Sequence, residues 1–201
     1  MIEQPHLDKI GQEHLLTLYT ITRTINSSLD FDEVLNTVMD SVMQVTRAQR
    51  GFLMVAEDDP NHMDVRVARG LTGETIQSEA RYSTSVVNEV VSTRQPLLTN
   101  NAQYDSRYKV GQSIIMQGLR AILCAPMMVR DRLIGVVYVD SSIRNNNFKD
   151  EDLLLLNAVA GQAAVAIENA RLYRLAVERG RIDREIQMAR EIQESLLPRK
   201  T

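Results

Sequence analysis

Apolar residues recur at helical spacing in three segments of the chain, separated by polar breaks. The first stripe predicts a helix over about 6–26 and contains Leu7, Ile10, Leu18, Ile21 and Ile25. The second predicts a helix from Phe31 to about Thr46, with Asp30 as its N-cap and Glu33 completing a capping box. The third begins near Asp150 and continues toward the end of the chain.

Between the second and third helical segments, the apolar runs have the composition and alternation of strands. The predicted strands cover 51–56, 63–68, 97–99, 121–129 and 133–140, and a short helix covers 83–93. In the second strand, Met63, Val65 and Val67 alternate with residues that face the other side. The pattern predicts an α+β fold in which a central antiparallel sheet is sandwiched by helices. We expect the three long helices on one face, and the short helix with the aperiodic segment 100–119 on the other.

Composition narrows the class of protein without identifying it. The chain has 201 residues, 44% hydrophobic and 24% charged, and a net charge of −3 without a dense basic run, which disfavours nucleic-acid binding. No apolar stretch approaches the ~18 residues of a membrane span, and the N-terminus lacks the apolar core of a signal peptide, so no membrane partner is expected. A single cysteine excludes an internal disulfide and fits a cytoplasmic location.

The sequence contains no combination of residues that indicates catalysis, so this chain is not expected to be an enzyme. Its three histidines and one cysteine are too dispersed for a zinc site. Cys124 falls in a strand predicted to be buried, where a small core residue is favoured over a redox role. The acidic run Asp150–Asp152 complements the dipole at the start of the last helix, which explains it without a metal.

The segment from Arg120 to Tyr173 contains a recognisable set of motifs: Ala125-Pro126, the run Gly135–Asp140, Phe148, Asp150–Leu153 and Gln162–Tyr173. With these motifs the segment closely resembles the C-terminal half of a GAF domain. The resemblance implies a sensory domain whose ligand pocket lies under the segment 100–119. At the place of the Asn-Lys pair in the family's cyclic-nucleotide signature this chain has Asp140-Ser141, which disfavours a cyclic nucleotide.

If a small molecule binds, we expect it to contact the segment 100–119 and one face of the central strands. The candidate pocket residues are Phe52, Met54, Tyr104, Tyr108, Met116, Cys124 and Pro126. Cys124 and Pro126 alternate along one strand and therefore share a face, but the sequence leaves open which face lines the pocket. Polar groups in the pocket would favour a sensor. A pocket filled by Met54, Met116, Met127 and Met128 would favour a ligand-free dimerisation scaffold.

Beyond the GAF resemblance, the last helix follows a heptad pattern typical of a weak coiled coil. The a positions are Leu172, Arg179, Ile186 and Gln193, and the d positions are Leu175, Ile182, Ala189 and Leu196. We expect a parallel homodimer. Its contacts would be Leu18, Ile25, Leu172, Leu175, Ile182, Ile186 and Leu196, although the first helix could equally pack on its own domain. The predicted organisation is a dimerisation helix at 1–29, a GAF domain at 30–171 and a coiled-coil linker at 172–201.

The segment from Glu185 to Pro198 carries a second resemblance. Ala189, Ile192-Gln193 and Ser195–Pro198 are similar to the helix that leads into PPM-type serine/threonine phosphatases of the SpoIIE group. The resemblance implies a bacterial-type signalling protein whose phosphatase domain, with its Mn or Mg ions, is missing from this chain. Other outputs, such as a nucleotide cyclase or a histidine kinase, stay open, as does the identity of any ligand.

Overall fold

The computed structural model describes residues 12–56, 62–70, 82–100, 102, 120–142 and 147–196. The helices are α1 (Gln12–Ile25), α2 (Phe31–Thr46), α3 (Thr84–Thr93) and α4 (Asp150–Leu196). The strands are β1 (Arg50–Ala56), β2 (Met63–Gly70), β3 (Leu97–Thr99), β4 (Ala121–Val129) and β5 (Arg132–Ser141). Each predicted element within these ranges is present, with bounds that differ by one or two residues, except that the predicted start of the first helix lies outside them.

The strands form one five-stranded sheet in the order β2-β1-β5-β4-β3. All four neighbouring pairs are antiparallel, which confirms the predicted α+β sandwich. The β4–β5 hairpin turns at Arg130 and Asp131, and Arg130 adopts a left-handed φ of 53°. The two strands that lie together at the centre, β1 and β5, are far apart in sequence.

The sheet separates two apolar clusters. On one face, α1, α2 and α4 cover side chains such as Leu53, Leu123 and Val137, and we call this the helix face. On the other face, α3 covers Phe52, Ile122 and other alternate residues of the same strands, and we call this the α3 face. The three long helices therefore share one side of the sheet, as the sequence pattern predicts.

A bulge in the β1–β2 pair breaks the alternation predicted for the second strand. Leu53 pairs with Val67, whereas the next residue Met54 pairs with Val65, so the register skips one position. As a result Val67 belongs to the helix face, while Val65 packs on the α3 face. The prediction that these two valines share a face was wrong, because an inserted residue reverses the alternation of a strand.

The start of α2 confirms the predicted cap but changes its partner. The Asp30 carboxylate accepts a hydrogen bond from the Glu33 backbone N–H at 2.9 Å. The Glu33 side chain does not close the capping box directly, because its carboxylate accepts from the Ser28 hydroxyl at 2.6 Å. That hydroxyl in turn accepts from the Asp30 backbone N–H at 3.0 Å. The Glu33 carboxylate is therefore connected to the Asp30 backbone N–H through the Ser28 hydroxyl, which completes the capping box indirectly.

The start of α4 is held by two side-chain contacts. The Asp152 carboxylate accepts from the Lys149 backbone N–H at 2.7 Å, which places the N-cap of the helix at Lys149. The Asn100 side chain, at the end of β3, pairs with the backbone of Phe148 in both directions. Its amide donates to the Phe148 carbonyl at 2.6 Å and its oxygen accepts from the Phe148 N–H at 2.9 Å.

Helix α4 has 47 residues and a length of about 70 Å. Its first half packs on the sheet and α2, whereas every described residue from 172 to 179 is exposed. It includes an 18-residue window of mean hydropathy 1.4, long and apolar enough to cross a membrane, so the expectation that no stretch approaches that length was too strict. Half of that window is buried in the protein itself, and core helices pass the same test.

Candidate functional site

The α3 face of the sheet brings together side chains from all five strands. Strand register places Phe52 opposite Tyr138, and Tyr138 opposite Cys124. The row is completed at the two edges by Ala68, opposite Phe52, and Leu97, opposite Cys124. Because side chains alternate along each strand, residues two positions away form parallel rows on the same face. One such row joins Met54, Val136 and Pro126, and another joins Arg50, Asp140 and Ile122.

Three aromatic rings form the centre of this face. Phe52 lies with its ring centroid 5.8 Å from both Tyr82 and Tyr138, and the two tyrosine rings are 6.2 Å apart. The pairs are tilted or edge-to-face, which are the arrangements that aromatic quadrupoles favour. Phe52 and Tyr138 are buried, whereas Tyr82 is partly exposed at the start of α3. The cluster therefore extends from the middle of the sheet toward solvent.

A buried ion pair borders the aromatic cluster. The Arg50 guanidinium donates to both oxygens of the Asp140 carboxylate, at 2.8 and 2.7 Å. The Asp140 side chain is only 1% exposed, and the Arg50 side chain is 23% exposed. Arg50 also lies over the Phe52 ring, 5.7 Å from its centroid. A bidentate pair of this kind fixes both side chains, and removing one partner would leave a buried charge uncompensated.

The Tyr138 hydroxyl lies between this ion pair and α3. It accepts a hydrogen bond from the Ser83 backbone N–H at 3.3 Å, and burial and the nearby Asp140 charge raise its pKa. Ser83 is the N-cap of α3. Polar groups of β1 and β5 therefore lie next to the first turn of the helix that covers this face.

Burial controls the protonation of these groups. It raises the pKa of the Asp140 carboxyl, and the bonds from Arg50 and Tyr138 oppose that rise. Burial, together with the Asp140 charge, raises the pKa of the Tyr138 phenol well above its ordinary value. Burial likewise raises the pKa of the Cys124 thiol. Tyr138 and Cys124 are therefore neutral near pH 7, and Cys124 lacks the thiolate that nucleophilic or redox chemistry requires.

The structure answers the question of which sheet face holds the candidate pocket residues. Phe52, Met54 and Cys124 all lie on the α3 face. Pro126 is buried and alternates with Cys124, so it shares that face. The remaining candidates, Tyr104, Tyr108 and Met116, lie outside the described residues. The methionines proposed to fill a pocket do not act together, because Met127 lies on the helix face.

Sequence reasoning missed the polar half of this face. The residues that it did not select are Arg50, Tyr82, Ser83, Tyr138 and Asp140. The Arg50–Asp140 pair could be identified only from the register of β1 against β5. That register places Arg50, at the start of β1, opposite Asp140, near the end of β5. Strand alternation alone cannot supply that register.

The predicted dimer residues divide into two groups. Ile25 is fully buried in its own domain, and Leu18 packs partly buried against the same core, so for Ile25 the expected contact with a second chain was wrong. In contrast, Leu172 is 54% exposed, and Leu175, Ile182 and Ile186 are also exposed. Leu196 is the last residue of α4, and its side chain lies outside the described residues.

The helix face carries an open groove of about 550 Å³ between α1, α2 and the start of α4. Leu16, Thr20, Arg47 and Asp152 are among its lining residues. Among the residues that the structure describes, no group of three His, Cys, Asp or Glu side chains could hold a metal ion. The polar and aromatic groups that converge on one point are those of the α3 face, which is the candidate functional site.

Solved structures with this architecture include sensory and enzymatic domains. The GAF domain of an Acinetobacter phosphoenolpyruvate-protein phosphotransferase superposes with a TM-score of 0.64 at 20% identity, covering 81% of this chain and 96% of that chain. The free methionine-R-sulfoxide reductase from Neisseria meningitidis, solved in complex with its substrate, superposes with a TM-score of 0.62 at 14% identity, covering 81% and 95%. At these identities the likeness establishes the fold alone.

Curated relatives include two histidine kinases and a phosphodiesterase. The sensor histidine kinase YhcY of Bacillus subtilis is 24% identical over 192 residues, which are 90% of this chain and 50% of the kinase. An uncharacterized sensor-like histidine kinase of Chloroflexus aurantiacus is 21% identical over 172 residues, 85% of this chain and 28% of its own length. The cGMP-specific 3',5'-cyclic phosphodiesterase of Drosophila mojavensis is 23% identical over 193 residues, 86% and 17%. The chain thus spans half or less of each of these relatives.

The family description "GAF domain" matches residues 28–168, which is more than half of the chain. The match begins just before α2 and ends within α4, so it covers the whole sheet and α3. It agrees with the resemblance seen between Arg120 and Tyr173 and extends it to the first strand pair. The chain therefore belongs to the GAF domain family.

Proposed function

We propose that this chain is the sensory and regulatory module of a signal-transduction protein, in which the GAF domain pairs with a second copy and controls an output domain joined to α4. The observation that carries the proposal is the division of α4 into two parts. One part packs on the sheet, and the other extends away from the domain with its apolar side chains exposed. A helix of this kind can transmit a conformational change in the domain to the segment that follows the helix.

The distal part of α4 has an apolar stripe that a partner helix would bury. Leu172, Leu175, Ile182 and Ile186 are between 43% and 54% exposed and follow the heptad pattern. Because most helical stability in proteins comes from packing of an apolar face, burying this stripe against an identical helix would stabilise both. A second copy in parallel is the arrangement that would present two output domains side by side.

The α3 face is the proposed ligand site. It combines a buried charge pair, a tyrosine hydroxyl and aromatic rings, which are the groups that orient a small molecule in a pocket. The contacts expected for a ligand are Phe52, Met54, Tyr104, Tyr108, Met116, Cys124 and Pro126. The buried Cys124 and the absence of a second cysteine in the sequence fit a reducing compartment, so we propose a cytoplasmic location.

For the output, the similarity of Ile192-Gln193 and Ser195–Pro198 to the helix before SpoIIE-group phosphatases favours a PPM-type serine/threonine phosphatase. Its Mn or Mg ions would be held by the phosphatase domain. A second candidate is a histidine kinase, favoured by two relatives that match 85% or more of this chain. A ligand-free dimerisation scaffold is the alternative to a sensor, because the Arg50–Asp140 pair is already satisfied within the protein.

Two measurements test this proposal. Sedimentation of the purified protein at tens of micromolar should give a dimer, and the double substitution Ile182→Asp with Ile186→Asp should convert it to a monomer, because four charges would be buried at the interface. The matched control replaces Gln187 and Met188, which are uncharged and lie outside the a and d positions, by Asp. Native mass spectrometry should reveal a retained small molecule. A wild-type monomer would overturn the dimer, and protein that never carries a ligand would favour the scaffold.

A further inference from the structure

The helix that covers the candidate site and the helix that leads out of the domain lie on opposite faces of the sheet. Helix α3 packs on the α3 face and α4 packs on the helix face, so the central strands lie between them. A change at the site can therefore reach α4 either through the strands or around the end of the sheet. The described side chains form a polar connection of the second kind.

This connection passes through the β4–β5 turn, Arg130-Asp131. The Arg94 guanidinium donates a hydrogen bond to the Asp131 backbone carbonyl at 3.0 Å. Arg94 is also the C-cap of α3, and its backbone N–H donates to the Val90 carbonyl at 2.8 Å. One residue therefore both ends α3 and attaches that end of the helix to the β4–β5 turn.

The residue that follows the β4–β5 turn contacts α4. Arg132, the first residue of β5, forms an ion pair with Glu168 of α4. The Glu168 side chain is only 15% exposed, whereas the Arg132 side chain is 50% exposed. Because a mostly buried carboxylate cannot recover its hydration where it lies, loss of Arg132 would leave its charge uncompensated. The position of the β4–β5 turn therefore affects how stably α4 is held on the sheet.

The hydrogen bonding of Glu168 is incomplete. Within the described residues, its second carboxylate oxygen, Oε2, is buried and has no hydrogen-bond partner. A buried acceptor without a donor is uncommon in folded proteins and costs free energy. A small shift of the β4–β5 turn relative to α4 that lets Arg132 contact both oxygens would recover part of that cost. The ion pair therefore has a second, bidentate arrangement that a movement of the turn can favour.

A bulge separates the β4–β5 turn from the centre of the sheet. Met127 pairs with Gly135, but the next residue, Met128, pairs with Leu133, so Ile134 is an extra residue on β5. A bulge bends its strand and interrupts the ladder of hydrogen bonds. The end of the hairpin can therefore tilt while the pairing at the centre of the sheet stays intact.

We propose that the β4–β5 turn couples α3 to α4, with Arg94 and Arg132 as positioning residues. A displacement of α3 moves the turn through Arg94, and the turn then changes the Arg132–Glu168 pair that holds α4. The inference rests on the proposed function, in which the α3 face receives a signal and α4 carries it to an output domain, and it names the route between them. The coupling is a property of the single chain, so it can be measured without a ligand or an output domain.

Hydrogen exchange of the purified chain measures the coupling from the α3 end. Arg94→Ala should accelerate amide exchange in α4 around Glu168 by at least about threefold relative to exchange in α2, which reports any general loss of stability. Arg94→Lys keeps a charged donor that can reach a carbonyl, and it should restore most of the protection. Gln95→Ala truncates the adjacent exposed side chain and should leave α4 unchanged. If Arg94 serves only to end α3, its substitution will accelerate exchange in α3 alone, and the inference is overturned.

The reverse experiment starts from α4. Glu168→Gln removes the charge of the carboxylate with little change in shape. Because a coupling free energy is reciprocal, exchange in the last turn of α3 should accelerate by a similar factor. The matched control is Glu151→Gln, which neutralises an exposed acid in the first turn of the same helix. Equal effects of the two substitutions on α3 would also overturn the inference.

The double variant shows whether the two residues act along one route. On a single route, Arg94→Ala combined with Glu168→Gln should accelerate exchange in α4 no more than the larger of the two single substitutions, whereas independent effects multiply. Multiplied effects overturn the inference. The proposed function fails separately, if the chain is a monomer in solution and never carries a ligand, and that result would not alter the exchange rates from which the coupling is judged.

Discussion

Tyr138 joins the sheet to the start of α3 through its hydroxyl group. The hydroxyl accepts from the Ser83 N–H, while the ring packs against Phe52 and Tyr82. Because the residue is fully buried, no water can replace this bond when the hydroxyl is removed. The contribution of this one oxygen can therefore be measured in isolation from the ring.

Tyr138→Phe should lower the free energy of unfolding by about 1–3 kcal/mol, since the Ser83 N–H loses its hydrogen-bond partner in a buried environment. Urea unfolding followed by circular dichroism measures the change. The control is Tyr82→Phe, which removes a hydroxyl from the partly exposed ring of the same cluster and should cost less than about 0.5 kcal/mol. Equal effects of the two substitutions would argue against the polar link to α3.

At Gly135 the backbone of β1 lies close to β5. A Cβ atom at this position would lie 2.1 Å from the Met54 carbonyl oxygen and 2.7 Å from the Met127 side chain. The first of these neighbours is backbone of the central strand and cannot move aside. Gly135→Ala should therefore destabilise the protein by about 1–3 kcal/mol or more.

Thermal unfolding of Gly135→Ala tests this expectation against Gly180→Ala. At Gly180 an added Cβ meets nothing within 4 Å, and alanine should stabilise the helix by up to about 1 kcal/mol. The two variants add the same methyl group and should shift the melting temperature in opposite directions. A neutral Gly135→Ala would mean that β1 and β5 can separate at little cost.

At the scale of elements, the sequence pattern predicts each strand and helix within the described residues. The reason is that the apolar face of each element can be identified from local periodicity. Apolar residues alternate with a period of two in strands such as 133–140, and they recur every three to four residues in helices such as 31–46. The bulge in β2 was not predictable in this way. Met63, Val65 and Val67 alternate regularly in sequence, and only the pairing with Leu53 and Met54 reveals the skipped position.

The candidate site was predicted only in part, for a related reason. The sequence predicts three described pocket residues, Phe52, Met54 and Cys124, because they lie in central strands, one face of which is expected to contact a ligand. The ion pair of Arg50 with Asp140 depends on the register of two strands, and the two residues are 90 positions apart in the sequence. No local pattern encodes that register, and the assignment of faces requires the helices to be packed first.

Asn100 connects the end of β3 to the start of α4. Asn100→Ala should remove both hydrogen bonds to the Phe148 backbone, and hydrogen exchange at Phe148 and the first turn of α4 should accelerate. The unfolding free energy should fall by about 1–2 kcal/mol. Asn88→Ala, an exposed position on α3, serves as the control. Unchanged exchange at Phe148 would show that the Asp152 cap alone holds this end.

At the scale of the whole molecule, we expect the part of α4 beyond the domain to transmit a conformational change. It should do so only while its apolar stripe keeps the same rotational position relative to the GAF domain. Inserting one heptad after Glu185, by repeating residues 179–185, rotates the distal stripe by only about 20° and should preserve the dimer and the regulation of a fused output domain. Inserting two residues rotates it by about 200° and should abolish regulation. Sedimentation and output activity of the fusion are measured together.

The two insertions differ in length but hardly in composition, so a flexible tether would tolerate both. Regulation that survives the two-residue insertion would show that the extension carries no rotational information. A dimer that persists while regulation is lost would indicate that pairing beside the domain is sufficient for assembly and that phase matters only for the signal.

Because one sheet forms the centre of the domain, its two faces can diverge separately during evolution. Cys124 and Leu123 are neighbours in sequence, yet one belongs to the α3 face and the other to the helix face. Residues on the α3 face can therefore be exchanged during evolution while the residues that pack against α4 are inherited unchanged. Selection acts on two alternating sets of positions within one strand, and each set can change independently of the other.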